Sequence, residues 1–456
     1  MIETDTYISQ IINDRLDAYY YNSIFVEFYS KLYKINCVEL GSIINSITNG
    51  IDYREYSLTG GIPYIKVGNT KQGEFDFSNI QYIEYNLSDV TKSIQLKKGN
   101  ILLTRKGTFG NALYLADDYN YVISSEIFNL DIKQNDINSK YLEILLNSPI
   151  GQIQFDRNKI GAIMGSLSQD AVKKILIPLP SEKIQQKIVD LYQQAQQIKQ
   201  TKEQEAKALL DSIDDYILKE LGIKLPKNVG NEKYFEVDVS ELMGGRLDVG
   251  YYSINNCNKE FTIKHSKYQL GKMSDYCMLQ AGYAFKSEDY VSYSDCKLIT
   301  IKNISKNIIL LDDCTYLPDE YFGQYKNFQI HKDDLLIAMT GATIGKVGIF
   351  GSEEKALLNQ RNGIIRSSAL NTFWLMNLLN TELYQSLILR NSVGGAQPNI
   401  SETNILKLPI PLPSIEKQNG ISEHIQSIRA KAKQLQKEAE EVLEKVKQQI
   451  EQIIVN

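Results

Sequence analysis

The most regular hydrophobic pattern lies near the C-terminal end of the chain. Apolar residues recur there in alternating steps of four and three between positions 421 and 446, among Lys, Glu and Gln. A heptad pattern of this kind predicts a long helix whose apolar seam pairs with another helix. The predicted seam of this helix consists of Ile421, Ile425, Ile428, Leu435, Val442 and Val446, with Ala432 and Ala439 between them.

A similar pattern occupies the middle of the chain. It starts at Ile184, and its phase shifts before Ala206, which predicts a locally unwound coiled coil. Gly222 is a suitable residue to end the helix, and Pro226 forbids its continuation. The predicted seam of this helix consists of Ile184, Ile188, Leu191, Ile198, Leu210, Ile213 and Ile217.

Two long helices with apolar seams each need a partner. Each covers roughly 40 residues, so about 60 Å at 1.5 Å per residue. Because the first helix leads straight into the second half of the chain, we expect an antiparallel coiled coil with a globular domain at each end. Two alternatives are that each helix packs only on its own domain, or that helices pair between two chains.

Five short stretches of the first half recur in the second half in the same order. Their offsets lie between 231 and 236 residues, and the last pair is identical, IPLPS at 177–181 and at 410–414. Ordered matches at a nearly constant offset predict a tandem duplication. The five pairs begin at Arg15 and Arg246, Tyr64 and Thr300, Lys98 and Lys332, Leu145 and Leu378, and Ile177 and Ile410.

Each copy is predicted to have the same plan. β-rich runs at 101–104 and 335–339 are bounded by turn residues, and helical periodicity follows at 141–155 and 374–390. IPLPS then joins a strand to a helix, with Ser181 and Ser414 as N-caps. We therefore predict an α/β (α+β) fold with a mixed domain over residues 1–180, a long helix over 181–222, a second mixed domain over 223–413 and a second long helix over 414–456.

Composition narrows the class of protein. With 43% hydrophobic and 23% charged residues, the chain is typical of a soluble globular protein. It has no apolar run of about 18 residues and no basic, apolar leader, so we expect a cytoplasmic protein without membrane contact. The five cysteines form no CxxC pair, and only three histidines are present, so we expect no metal site.

No catalytic motif is present. GATIGKVG at 341–348 resembles a phosphate loop, but only three residues separate Gly341 from Gly345, and Val347 follows Lys346. A phosphate loop has four residues between its glycines and Ser or Thr after its lysine. The dinucleotide fingerprint and the HExxH metal motif are also missing. We therefore expect a chain that is not an enzyme.

Two acid-free windows indicate a nucleic-acid contact despite the net charge of −5. Residues 90–116 include five basic residues, and residues 355–381 include three. Such windows, taken together, favour phosphate contact, and nearby amide side chains are of the type that reads base edges. The alternative, which is favoured for any single residue, is an ordinary solvated loop with turn glycines. The predicted DNA-contacting residues are Lys66, Asn69, Lys92, Lys98, Arg105, Lys106, Thr108, Lys302, Asn303, Thr340, Thr343, Lys346, Asn359, Gln360, Arg361 and Gln397.

The ordered set of features resembles the specificity subunit of type I restriction-modification systems over nearly the whole chain. The resemblance rests on TGATIGKVGI at 340–349, IPLP before each long helix, the RLD lead-in followed by paired tyrosines, and the duplication itself. The first copy, RKGTFGNALYL at 105–115, departs from the glycine motif.

The resemblance implies a non-catalytic function. In that family, each globular unit is a target-recognition domain that reads one half of a split DNA sequence. The antiparallel coiled coil sets the gap, at most about 18 base pairs for a 60 Å helix. It also binds two methyltransferase subunits, which use S-adenosylmethionine, and restriction subunits use ATP. The alternative is a coiled-coil scaffold that binds proteins and has no DNA specificity, which would suit the acidic charge and the 29 tyrosines.

Overall fold

The computed structural model describes residues 19–57, 59–84, 95–161, 165–225, 249–252, 261–394 and 398–455. The chain divides into two compact units, one with residues 1–203 and 436–456 and the other with residues 204–435. The division falls inside both long helices rather than at their ends. Each unit therefore contains one mixed domain and a part of each long helix.

The first unit is built on the antiparallel sheet β2-β10-β7-β8, beside the smaller sheets β6-β3-β9, β1-β11 and β4-β5. Its strands are β1 (Cys37–Glu39), β2 (Ile44–Asn49), β3 (Ile62–Ile65), β4 (Thr70–Lys71), β5 (Glu74–Phe75), β6 (Gln81–Ile83), β7 (Ile101–Thr104), β8 (Ala112–Tyr114), β9 (Val122–Ile123), β10 (Ile127–Ile132) and β11 (Leu176–Pro178). Its helices are α1 (Ser23–Leu32), α2 (Ser139–Asn147), α3 (Pro149–Asn158), α4 (Gln169–Lys173) and the first part of α5 (Glu182–Leu221).

The second unit has a six-stranded sheet, β13-β22-β19-β20-β16-β15, a four-stranded sheet, β17-β14-β21-β18, and the pair β12-β23. Its strands are β12 (Leu270–Lys272), β13 (Met278–Ala281), β14 (Cys296–Ile299), β15 (Ile304–Ser305), β16 (Asn307–Ile309), β17 (Thr315–Leu317), β18 (Gln329–Ile330), β19 (Leu335–Ala338), β20 (Val347–Ile349), β21 (Ala356–Leu358), β22 (Asn362–Arg366) and β23 (Pro409–Pro411). Its helices are α6 (Val249–Tyr252), α7 (Asp319–Gln324), α8 (Thr372–Leu379), α9 (Glu382–Asn391), α10 (Glu402–Leu406) and the first part of α11 (Ile415–Val455).

The central strands β7 and β19 are buried on both faces. Ile101 belongs to the core beneath the helices, and its neighbour Leu102 belongs to the core on the opposite face. Leu335 and Leu336 divide in the same way in the second unit. Because successive side chains of a strand point to opposite faces, a strand between two cores needs an unbroken apolar run. This explains the two apolar runs in the sequence.

The predicted duplication is repeated in buried side-chain hydrogen bonds. Asn147 accepts from the Ala112 N–H at 2.9 Å and donates to the same residue's carbonyl at 2.8 Å. Asn380 forms the equivalent pair with Val347, at 3.1 and 2.7 Å. In each unit, one amide side chain thus bonds to both backbone groups of one strand residue, in the edge strand β8 and in the internal strand β20.

The tyrosines of the two lead-ins pack on an arginine of the following domain. The Arg157 guanidinium lies 4.0 Å from the Tyr20 ring, and its Nε donates to the Tyr20 carbonyl at 3.1 Å. In the second unit, Arg390 contacts Tyr251 in the same way, at 4.2 and 2.7 Å. Cation–π contact and a charged hydrogen bond fix the segment on its domain. Arg15 and Arg246, which begin the matched stretches, lie outside the described residues.

The helical stretches predicted after the sheets are each two helices. Ser148 separates α2 from α3, because Pro149 lacks the N–H that would continue the first helix. In the second unit, α8 ends at Leu379 and α9 starts at Glu382. No helix among the described residues is long and apolar enough to cross a membrane.

IPLPS joins a strand to a long helix in both units. Ile177 lies in β11 and Ile410 in β23, and α5 and α11 begin a few residues later. Gln185 donates to the Pro180 carbonyl at 3.0 Å, and Gln418 donates to the Pro413 carbonyl at 2.9 Å. The first long helix ends at Leu221, before Gly222 with φ +72°. The prolines and the glutamines are structural.

Parts of the two long helices run antiparallel within each unit, as predicted. In the first unit, Lys202 Nζ lies 2.6 Å from Glu438, while Ile188 shares a core with Ile450. In the second unit, Lys417 pairs with Glu220 at 2.5 Å, and the Tyr216 and His424 rings are 4.4 Å apart. As the residue number rises along α5, the number of the contacting residue in α11 falls, which is the order of an antiparallel pair. The predicted mixed fold with an antiparallel coiled coil is confirmed.

The seam of the second helix lies where the heptads place it. Ile421 and Ile425 are buried, Ala432 and Ala439 between the larger side chains are buried too, and Ile428, Leu435, Val442 and Val446 are half-buried.

The seam of the first helix differs from the prediction. Ile198 and Leu210 are exposed, at 46% and 38%. The prediction was wrong at these positions because Lys199 and Lys202 occupy the seam there. The stem of a lysine covers apolar surface, and the ammonium group of Lys202 reaches a carboxylate. No phase shift exists; steps of four and three continue through Ile188, Tyr192, Ala195, Lys199, Lys202, Ala206, Leu209 and Ile213, all buried or half-buried. Ile184 and Leu191 are half-buried, and Ile217 is buried.

This seam predicts a contrast between substitutions on one helix. Ile198→Gln and Leu210→Gln should change the free energy of unfolding by less than about 0.5 kcal/mol, since both side chains are exposed. Ile213→Gln should cost about 3 kcal/mol, because it buries an amide in the core. Urea denaturation of the isolated chain measures all three. Equal losses of unfolding free energy at positions 198 and 213 would instead support the seam predicted from the sequence.

Candidate nucleic-acid interface

A short turn in the first unit joins β9 to β10 and is held by five backbone hydrogen bonds. We call residues 124–126 the first turn. All five bonds join backbone groups of the turn and of the segments beside it. The N–H groups donate from Ser124 to Ile65 (2.9 Å), from Ser125 to Ile51 (2.9 Å), from Ile51 to Ile123 (3.0 Å), from Gly50 to Ile127 (3.2 Å) and from Arg105 to Glu126 (2.9 Å).

The second unit repeats this arrangement. Residues 359–361, the second turn, join β21 to β22 and are held by the same five bonds at equivalent positions. The two turns therefore share their backbone hydrogen bonds and differ in their side chains and in the φ of Arg361, which is +69°. The N–H groups donate from Asn359 to Ile299 (3.0 Å), from Gln360 to Tyr283 (2.8 Å), from Tyr283 to Leu358 (3.0 Å), from Gly282 to Asn362 (2.9 Å) and from Met339 to Arg361 (2.9 Å).

Glycine is required where the neighbouring segment crosses each turn. A Cβ built on Gly50 would lie well inside 3.0 Å of the Ile123 and Ser124 backbone. A Cβ on Gly282 would meet the Leu358 and Asn359 backbone in the same way. Because no larger residue fits, both turns have a close, rigid support.

The two turns carry different side chains. Asn359 is half-buried, and its Oδ1 accepts from the Gln360 N–H at 2.9 Å, while the side chains of Gln360 and Arg361 are exposed. In the first turn, Ser124 is buried, Ser125 is half-buried and Glu126 is exposed. The second turn thus presents an amide and a guanidinium, and the first presents a hydroxyl and a carboxylate. All of these groups can bond to base edges.

The β7–β8 loop lies beside the first turn. Arg105 is half-buried, its guanidinium is 5.1 Å from the Phe128 ring, and its backbone binds the turn at Glu126. Lys106 and Thr108 follow it and are exposed. The structure thus brings three predicted DNA-contacting residues to one end of the sheet.

The β19–β20 loop has the equivalent place beside the second turn. Thr343 and Lys346 are half-buried in it, and Thr340 is buried. Thr340 therefore has little surface to offer a ligand. Its backbone pairs with Asn399 in an isolated bridge. The loop leads into strand β20, not into a helix, so its backbone cannot form the helix N-terminus that a phosphate loop uses.

Two predicted lysines follow the strands that support the turns. Lys66 comes after β3, and its Nζ lies 3.6 Å from the centre of the Tyr56 ring. Lys302 is exposed in the short helical turn after β14. Lys66 directly follows Ile65, and Lys302 comes three residues after Ile299; the carbonyls of Ile65 and Ile299 accept the first bond of each turn.

Asn69 and Asn303 are buried and serve the fold. Asn69 accepts from the Lys66 N–H at 3.0 Å and donates to the Asp76 carbonyl at 2.9 Å. Asn303 accepts from the Thr300 N–H at 2.9 Å and donates to the Leu310 carbonyl at 3.1 Å. Their prediction as base-reading residues was wrong, since a buried amide with its bonding groups used has none left for DNA.

The remaining window residues do not join this site. Lys98 is exposed at the opposite end of strand β7 from Arg105, where its N–H donates to Asp118. Arg366 donates from Nε to the Asp334 carboxylate at 2.7 Å, so an ion pair already uses it. Lys92 and Gln397 lie outside the described residues.

Sequence reasoning missed Ser125 and Glu126. The search required basic or amide residues, so an acidic residue was passed over. The signal was the internal repeat, because SSE at 124–126 aligns with NQR at 359–361, 235 residues later.

The described residues contain no group of His, Cys, Asp and Glu suited to hold a metal ion. Burial raises the pKa of the Cys277 and Cys296 thiols to about 11, so both stay protonated near neutral pH. A protonated thiol is a poor metal ligand and a poor nucleophile.

The comparisons with known proteins agree with this geometry. The family model described as the type I restriction modification DNA specificity domain matches the chain twice, over residues 34–209 and 265–445. The chain belongs to this family and contains two of its domains. Such domains recognise DNA target sequences, and a chain made of them is the recognition component of its system and not the enzyme.

Two curated proteins and one chain of a solved structure match this chain over most of its length and of their own. The MjaVIII specificity subunit of Methanocaldococcus jannaschii is 22% identical over 415 residues, 89% of this chain and 90% of that protein. The EcoBI specificity subunit of Escherichia coli is 20% identical over 420 residues, 90% and 82% of the two chains. A chain from a solved type I R-M system has a TM-score of 0.54 at 14% identity, with 92% and 96% covered, which shows a common fold.

Proposed function

We propose that the chain reads the two halves of a gapped, bipartite DNA target, with one half-site for each unit. One observation carries this proposal. The two turns share five backbone hydrogen bonds, yet they present a hydroxyl and a carboxylate in one unit and an amide and a guanidinium in the other. Two equal supports with unlike side chains suit two different base sequences.

The same proposal defines the partners. Double-stranded DNA is the ligand, and two methyltransferase subunits that bind S-adenosylmethionine carry out the modification. Restriction subunits that use ATP join the same complex in the cytoplasm, and the chain itself holds no cofactor. The names of its relatives as specificity subunits of restriction enzymes support these partners. Exposed Lys, Glu and Gln residues on α5 and α11 provide polar surface for them.

Methylome sequencing tests the proposed function. Cells that express the chain with its methyltransferase partner should gain methylation at one motif made of two short specific parts and a gap, and cells without the chain should lack it. A continuous motif, or methylation that does not depend on the chain, would contradict the proposal. A complex that assembles but does not bind DNA in a salt-sensitive way would favour the protein scaffold instead.

A further inference from the structure

The two turns share five backbone hydrogen bonds and carry opposite charges at one position. The carbonyl of Glu126 accepts the N–H of Arg105, and the carbonyl of Arg361 accepts the N–H of Met339, both at 2.9 Å. The two side chains are exposed. The tandem repeat therefore places a carboxylate in one unit where it places a guanidinium in the other.

Neither group is neutralised by a described residue. Among the described residues, neither Glu126 nor Arg361 has an ion-pair partner within 4.0 Å, whereas the nearby Arg366 is paired with Asp334. A carboxylate on a DNA-binding face is repelled by the phosphates. In such a place it can be favourable only where it accepts from a base amino group.

The backbone of Arg361 supports a role for its side chain. Its φ of +69° lies in the left-handed region, which arginine adopts at a cost and which Gly or Asn adopts readily. The hydrogen bond to the Met339 N–H holds this conformation. Strained residues of this kind cluster at functional sites.

We propose that Glu126 and Arg361 each read a base in their own half-site, and that the two half-sites have opposite hydrogen-bonding demands at this point. Arg361 donates two hydrogen bonds to O6 and N7 of a guanine in the major groove. Glu126 accepts from the N4 amino group of a cytosine. This inference rests on the proposed function and adds which residue and which base class set each half of the target.

Arg361→Asn and Glu126→Gln test the proposal in the complete complex with its methyltransferase partner. Asn fits the left-handed backbone, so Arg361→Asn should keep the fold and relieve strain. Glu126→Gln keeps the shape and removes the charge. Selection of methylated sites from a randomised library gives the preference at every position. We expect Arg361→Asn to lower the preference for guanine at one position roughly 10- to 100-fold, and to leave the other half-site unchanged.

Glu126→Gln should act on the opposite half-site. An amide prefers adenine, so the cytosine preference at one position should fall and adenine should gain. Lys264→Asn and Glu39→Gln are the matched controls, because each removes the same charge from an exposed residue outside the turns and the long helices. Neither control should alter any base preference.

Three results would overturn the inference. A uniform loss of DNA affinity with unchanged preferences and a salt slope reduced by about 1 would make Arg361 a phosphate contact. Changed preferences in both half-sites for either variant would show a structural effect. A wild-type motif without guanine in one half and cytosine in the other would also overturn it. If the wild-type complex methylates no bipartite motif, the proposed function itself fails.

Discussion

Gly282→Ala is expected to abolish recognition by the second unit while the first unit still binds its half-site. The added Cβ would overlap the Asn359 backbone, so the crossing segment and the second turn must move apart. That movement breaks the bonds from Gly282 to Asn362 and from Tyr283 to Leu358. Overpacking of this kind costs about 3 kcal/mol and displaces the side chains of the turn. Gly50→Ala should do the same to the first unit.

DNA binding to oligonucleotides with one or both half-sites measures this effect. Gly323→Ala and Gly68→Ala are matched controls, since nothing lies within 4 Å of a Cβ at either position. Their binding and melting temperatures should match those of the unmodified protein. Full methylation of the unmodified motif by Gly282→Ala would show that the turn does not position the reading residues.

Asn380→Leu should cost about 4 kcal/mol of unfolding free energy in the second unit. The leucine keeps the volume but leaves the buried N–H and C=O of Val347 without partners, each at about 2 kcal/mol. Asn147→Leu should cost about 2 kcal/mol in the first unit, because it leaves the Ala112 N–H without a partner while the Gly73 N–H still donates to the Ala112 carbonyl at 3.1 Å. Both substitutions should loosen the strand, β8 or β20, that follows the loop beside each turn.

Urea denaturation followed by far-UV circular dichroism measures this loss. Asn327→Leu is the control, because Asn327 is exposed in the same unit. It should change the stability by less than about 0.5 kcal/mol. A loss below about 1 kcal/mol for Asn380→Leu would mean that water replaces the amide and that the backbone of Val347 is accessible to solvent.

The sequence predicted the duplicated fold because the repeat depends on backbone requirements. Asn147 and Asn380 recur for a bonding reason, and the apolar runs of β7 and β19 recur because each strand lies between two cores. The predicted seam of α5 was wrong at Ile198 and Leu210, because hydrophobic periodicity alone does not show that the stem of Lys202 packs in the seam.

The candidate site was only partly predictable. Residue type suggested that Asn69 and Asn303 read bases, but both are buried and support turns. In a sequence, an asparagine that supports a turn looks the same as one that reads a base. Gln360 and Arg361 were found because they are basic or amide residues. Glu126 was missed because the search looked for positive charge, whereas base readout also uses acceptors. The backbone bonds common to both turns agree with the 235-residue repeat that these positions are equivalent.

The division of the units has a consequence for biosynthesis. The second unit is one continuous segment, residues 204–435, so its chain is complete before translation ends. The core of the first unit includes Ile450 and Ile454, which leave the ribosome more than 240 residues after α5 begins. The domain made first can therefore close its core only after the domain made second has been synthesised, and it must wait in an incomplete state meanwhile.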